Sequence, residues 1–158
     1  MKKYYIKKEP RIPFTQDGYD KLVIEHAKLV ADRPVAVENL RKSREMGDLS
    51  ENGYYKASRA ALSFLDARLR RATRLLKLAI IVSSHGSRSV QIGSLVKVKI
   101  GDKESEYTIV GGYESDPMNH TISHISPLGK AMIGKIAGDT VEVRAPERTI
   151  SYTIVSVA

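Results

Sequence analysis

Residues 58–79 read SRAALSFLDARLRRATRLLKLA, and within them Ser58, Leu62, Leu65, Leu69, Ala72, Leu76 and Ala79 recur at alternating spacings of four and three. That is the seam of a coiled coil, and it needs a second helix to cover it. The preceding residues supply one. Tyr19, Leu22, Val23, His26, Leu29, Val30, Val37 and Leu40 form another stripe with helical spacing. Pro34 interrupts it without ending it, so one kinked helix is expected. Thr15 is placed to cap this helix, Asp17 lies in its positive first turn, and Phe14 can staple onto Tyr19. Gly18 stands where a capping box would have Glu. Gly47 suits the position just past the first helix, and Ser50 suits the N-cap of the second. So short a connection allows only an antiparallel hairpin, with arms of about 29 residues and about 43 Å.

The connection itself is Gly47-Asp48-Leu49-Ser50-Glu51-Asn52, which puts two carboxylates at the tip. Asp48, Ser50, Asn52 and Gly53 match the first half of a calcium loop, but its twelfth position is Arg59, a cation where a bidentate Glu is needed. Calcium is therefore rejected. Helix capping accounts for Glu51, through a dipole interaction of about 0.3–1 kcal/mol, but not for Asp48. Two carboxylates are too few to hold Mg²⁺ alone, so Asp48 and Glu51 read as half of a metal site that a partner completes.

The formal charge is +8, and it is unevenly placed. Residues 1–82 carry 18 Lys/Arg against 10 Asp/Glu, whereas residues 83–158 carry 8 of each. On the second helix Lys56, Arg59, Arg70, Arg74 and Lys77 fall within about 60° of one another, away from the Leu seam. Arg41, Lys42 and Arg44 add charge just below the tip on the first arm. A merely solvated face would mix signs. This one suits a polyanion such as RNA. Tyr54 and Tyr55 could stack on bases, although packing between the arms is the simpler role.

After a polar linker at 83–92 the period changes to two. Residues 95–100, 106–110, 121–125, 140–143 and 150–157 read as strands, and 127–133 as a short helix. The fold class is therefore α+β: a basic hairpin over 1–82 with its tip at 47–52, then a small, mostly antiparallel sheet domain over 93–158. His120 and His124 have neither cysteines nor paired acids nearby, which argues against zinc. The chain contains no Cys, which fits a reducing compartment, and no apolar run of membrane-spanning length, so a cytoplasmic location is expected. Lys2, Lys3, Lys7 and Lys8 form a short basic arm best read as a solvated terminus.

Together, Arg33-Pro34, the 47–52 motif, Ile109-Val110-Gly111, Ile125-Ser126-Pro127 and the Gly134-Lys135…Gly138-Asp139 pattern resemble the bacterial Gre transcript-cleavage factors of the GreA/GreB type. The likeness runs in order over about residues 12–157. It implies an antiparallel coiled coil and an FKBP-like C-terminal domain that docks on RNA polymerase, with Ser126 and Pro127 in the docking surface. It also implies a monomer whose tip enters the polymerase secondary channel. There Asp48 and Glu51 would help hold a Mg²⁺ shared with the polymerase active site, and the extruded RNA 3′ end of a backtracked complex would be cleaved. The factor would have no nuclease activity of its own. Gly53-Tyr54 departs from the family pattern where a further acid is frequent, and Pro146-Glu147-Arg148 replaces a Pro-Gly-type turn. Residues 1–11 lie outside the likeness.

Two other functions are compatible with such a chain. A channel-blocking inhibitor of the same fold would reduce polymerase activity without promoting cleavage, but retention of both tip acids argues against it. An isomerase or chaperone built on the FKBP-like half would want an aromatic-lined pocket, and residues 83–158 hold three Tyr, no Phe and no Trp.

Overall fold

The computed structural model describes residues 10–46, 51–83, 86–144 and 149–158. The chain divides into two compact units, one formed by residues 20–78 and the other by the residues on either side of them.

The first unit is a pair of helices, α1 (Gln16–Arg44) and α2 (Gly53–Leu78). α1 is continuous through Pro34, as expected of a single helix. The carbonyl that Pro34 leaves without a donor belongs to Val30, on an exposed turn where water can satisfy it. The arms are joined side to side by Arg33 to Asp66 (2.8 Å), Arg68 to Glu25 (2.6 Å), and His26 to Thr73 (3.0 Å). Arg33, the nearest of these to the tip on α1, meets Asp66, the nearest on α2, as an antiparallel register requires.

The observed seam on α1 is narrower than the expected stripe. Leu22, Leu29 and Ser43 are buried and His26, Ala36 and Leu40 half-buried, again at spacings of four and three or their multiples. Val23, Val30 and Val37 are instead 42%, 49% and 41% exposed. One partner helix covers only a seam, so a wider apolar stripe keeps its flank in water. On α2, Ser58 and Ala72 are buried and Leu62, Leu65 and Leu69 half-buried, as the spacing predicts. Leu76 and Ala79 are likewise half-buried, and Leu75 and Leu78 are buried beside them where α2 ends and β2 begins.

The second unit holds the remaining elements. Strands β1 (Ile12–Phe14) and β2 (Ala79–Ile81) form a parallel pair that the sequence reading lacks. The five-stranded sheet comprises β3 (Leu95–Ile100), β4 (Lys103–Val110), β5 (Thr121–Ser123), β6 (Thr140–Arg144) and β7 (Thr149–Val157). Its order is β5-β4-β3-β7-β6, with β4–β5 parallel and the other pairs antiparallel. β3 and β4 join through a two-residue turn in which Gly101 takes φ +59°, a conformation that favours glycine. Val90, Val96, Val98, Ile109, Met132, Val141 and Ile154 form the core. Met132 comes from α3 (Pro127–Met132), which runs so close to β5 that any side chain at Gly129 would meet the Ser123 carbonyl.

The start of α1 belongs to this second unit. Thr15 caps it as expected, with its Oγ1 accepting the Gly18 N–H at 3.1 Å. The Glu missing at position 18 is replaced from far along the chain. Glu114 accepts the Thr15 N–H at 3.1 Å on both oxygens, the Thr15 hydroxyl, and the Gly111 N–H at 3.0 Å. A Cβ on Gly18 or Gly111 would overlap that carboxylate, so both glycines make room for it. The result is a capping box closed by a tertiary contact.

Candidate functional site at the hairpin tip

Asp48 lies in residues 47–50, outside the described residues, together with Ser50. Glu51 is an exposed turn residue that makes no hydrogen bond or ion pair with a described residue. Among the described residues its carboxylate has no partner. The N-cap of α2 is Asn52, since the helix begins at Gly53: Asn52 Oδ1 accepts the Tyr55 N–H at 2.9 Å, and its carbonyl accepts the Lys56 N–H at 3.1 Å. This displaces the expected cap at Ser50. Asn52 Nδ2 also donates to the Ser43 carbonyl at 2.8 Å, linking the start of α2 to the end of α1. Beside this link the Arg44 guanidinium lies 6.0 Å from the Tyr55 ring centroid, a cation–π contact between the arms. Tyr54 is exposed.

The eight basic side chains singled out on the arms are all exposed, but they differ in surroundings. Arg41 is held between Glu38 (2.8 Å) and Glu45, and Lys42 lies 3.9 Å from Glu38. Hydrogen bonding to Glu38, reinforced by the charges of Glu38 and Glu45, raises the Arg41 pKa above its ordinary value. The reciprocal bond lowers that of Glu38. At such exposure the pairs exchange readily with water or an incoming phosphate. Lys56, Arg59, Arg70 and Arg74 have no ion pair among the described residues. Lys77 lies in the last turn of α2, where a cation favours the helix dipole.

In the sheet unit, Ser126 and Pro127 open α3. Ser126 Oγ accepts the Gly129 N–H at 3.0 Å, and Pro127 occupies the first helical turn with its ring exposed. The motif therefore builds a helix start and leaves Pro127 and the neighbouring Ile125 at the surface. His120 lies 6.2 Å from the Tyr107 ring, while His124 Nδ1 is 3.2 Å from the Val110 carbonyl. Among the described residues no cluster of three His, Asp or Glu side chains could hold a metal ion. None of their helices is long and apolar enough to cross a membrane.

Asn52 and Glu114 are the two residues whose importance sequence reasoning missed. The first was visible only as a loop position, although an Asn one residue before a helical run is itself a cap signal. The second had no local signal.

Two family profiles cover nearly all of the chain. Residues 12–81 match "Transcription elongation factor, N-terminal", and residues 85–158 match "Transcription elongation factor, GreA/GreB, C-term". Among similar proteins, "Transcription elongation factor GreA" of Nitratiruptor is 37% identical over 153 residues, covering 94% of each chain. That of Macrococcus caseolyticus is 42% identical over 139 residues, covering 85% of this chain and 87% of its own. Among solved structures, the GreA factor homolog 1 (Gfh1) of Thermus thermophilus overlaps 94% of this chain and 99% of its own, at 20% identity and a TM-score of 0.45.

Proposed function

Because the chain belongs to the GreA/GreB family of transcription elongation factors, we propose that it binds RNA polymerase, inserts the hairpin tip into the secondary channel, and stimulates cleavage of backtracked RNA 3′ ends. The observation that carries this reading is the turn between α1 and α2. In sequence that connection holds Asp48 and Glu51, the latter exposed and without a partner among the described residues, between helices about 40 Å long.

Asp48 and Glu51 would hold a Mg²⁺ only together with polymerase ligands, since two carboxylates leave most of an octahedral shell unfilled. Such an ion, when shared, lowers the pKa of bound water and stabilises an in-line displacement. The chain's own acids orient that water by accepting its hydrogen bonds. In the cleavage that the acids would assist, the water oxygen would bond to phosphorus as the P–O3′ bond breaks. The proton passes to the departing oxygen, leaving a 3′ hydroxyl on the transcript and a 5′ phosphate on the released fragment. Arg44, Lys56, Arg59, Arg70, Arg74 and Lys77, with Arg41 and Lys42 once exchanged from their acids, raise the local concentration of the extruded strand. Pro127 and the Ser126-capped start of α3 belong to the surface that docks on the polymerase. The protein acts in the cytoplasm as a cofactor of the polymerase and is not an enzyme in its own right.

The test is a stalled, backtracked elongation complex with and without the protein. Faster shortening of the transcript, with restored elongation, is the expected result. Slower elongation with no added cleavage would replace this reading by that of a channel blocker.

A further inference from the structure

We propose that Asn52 is a positioning residue for cleavage: its side chain clasps the two arms at the base of the tip, so that Glu51 is presented to the polymerase active site in one geometry. The inference rests on the cleavage-factor reading above.

The two ends of an antiparallel hairpin leave different groups unsatisfied. α1 finishes at Arg44, so the Ser43 carbonyl is among the last four that lack an intrahelical donor. α2 begins at Gly53, so the Tyr55 N–H is among the first four that lack an intrahelical acceptor. Asn52 serves both, donating Nδ2–H to Ser43 and accepting on Oδ1 from Tyr55. A carboxylate in its place could accept but not donate, and a hydroxyl is one bond shorter. At the clasp Ser43 is fully buried, and Arg44 faces Tyr55 alongside.

Glu51 immediately precedes this residue and has no polar partner of its own among the described residues. Its carboxylate is thus placed by the backbone of its neighbour, and that backbone is anchored to both helices through one side chain. Capping alone would not require Asn, because Asp and Ser cap equally well. What Asn adds is the donor.

That difference supplies the experiment. Asn52→Asp and Asn52→Ser both keep an acceptor for Tyr55 and lose the bond to Ser43. Asp adds a charge beside Glu51 whereas Ser does not, so an effect common to both reports the clasp. Cleavage of a stalled complex is followed against protein concentration and against Mg²⁺, with wild type and Glu51→Ala alongside. Because a displacement near 1 Å can cost about 10²-fold, both variants should lower the rate at saturating protein by about 10-fold or more. They should raise the Mg²⁺ needed for half-maximal rate while leaving the half-saturating protein concentration unchanged. In the isolated protein, the Glu45 amide, bonded to the Lys42 carbonyl in the last turn of α1, should exchange about 3- to 10-fold faster.

Wild-type plateau rates in both variants would overturn the proposal. So would a loss confined to the half-saturating concentration, which would mark a residue needed for docking rather than for presentation. Unchanged Glu45 exchange would remove the clasp itself, whatever the cleavage result. A wild-type protein that stimulates nothing would instead overturn the function proposed above, and the role of Asn52 in cleavage with it.

Discussion

In the sheet unit, residues from β3, β4, β6, β7 and α3 close around one another until Val96, Val98, Ile109 and Met132 have no exposed surface. In the hairpin, the seam buries Leu22 and Leu29 on one arm and Ala72, Leu75 and Leu78 on the other, and leaves Leu62, Leu65 and Leu69 half-covered. The difference teaches what each region is for. A closed core concentrates stability, whereas a two-helix seam spreads thin packing along a length and leaves most side chains free for chemistry.

Core truncation should show the contrast at its largest. Met132→Ala or Ile154→Ala is expected to destabilise the protein by about 2–5 kcal/mol in chemical denaturation. Leu65→Ala, at a half-buried seam position, should cost under about 2 kcal/mol. Equal losses would erase the distinction between the regions.

The tip should behave in the opposite sense. Asp48→Ala or Glu51→Ala should reduce cleavage stimulation by about 10²-fold, equivalent to about 2.7 kcal/mol of barrier, with stability unchanged within about 0.5 kcal/mol. Full stimulation by the double variant in a stalled-complex assay would remove the acids from the mechanism.

A smaller effect is expected where α1 is rooted in the sheet unit. Gly18→Ala pushes against the Glu114 carboxylate, and Glu114→Gln turns one acceptor into a donor facing Thr15. Each should cost about 1–2 kcal/mol and speed exchange of the Tyr19 amide, which bonds to the Thr15 carbonyl. Neutral behaviour of both would mean that Thr15 caps the helix unaided.

Reversing Arg70, Arg74 and Lys77 to Glu should have the mildest consequence. These residues lie too far along α2 from Glu51 to touch a metal: Arg74 is about 34 Å away at 1.5 Å per residue. Stimulation at limiting protein should fall several-fold and its salt dependence should flatten. An unchanged salt slope would make the basic face an ordinary solvated surface.

What could be read from residues alone follows from where the determining forces act. The seam from Ser58 to Ala72 and the strands from Leu95 onward repeat with a period that one sequence displays. The flank of the α1 stripe was misplaced because Val23, Val30 and Val37 share the seam's spacing, and only the number of covering helices decides which flank is wet. β1 and β2 are three residues each, too short for a period, although Ile80-Ile81-Val82 is a β-branched run. The partner of Thr15 lies at residue 114, beyond any local window. At the tip the two acids stand out in the sequence by residue type alone. The side chain next to them does not, because its second bond crosses to the other arm.

The parallel pairing of Ile12–Phe14 with Ala79–Ile81 gives the hairpin a topological identity as well. Parallel neighbours cannot be joined by a tight turn and require a crossover. Here the crossover is the entire pair of helices. A crossover has no fixed length, since loop-closure entropy grows only by about 0.6 kcal/mol for each doubling. Insertion or deletion of one heptad in each arm would change the hairpin's length by about 10 Å while returning the chain to the same two strands in the same register. Hairpin length is thus a dimension that can be retuned, by evolution or by design, without altering the two paired strands that bracket it.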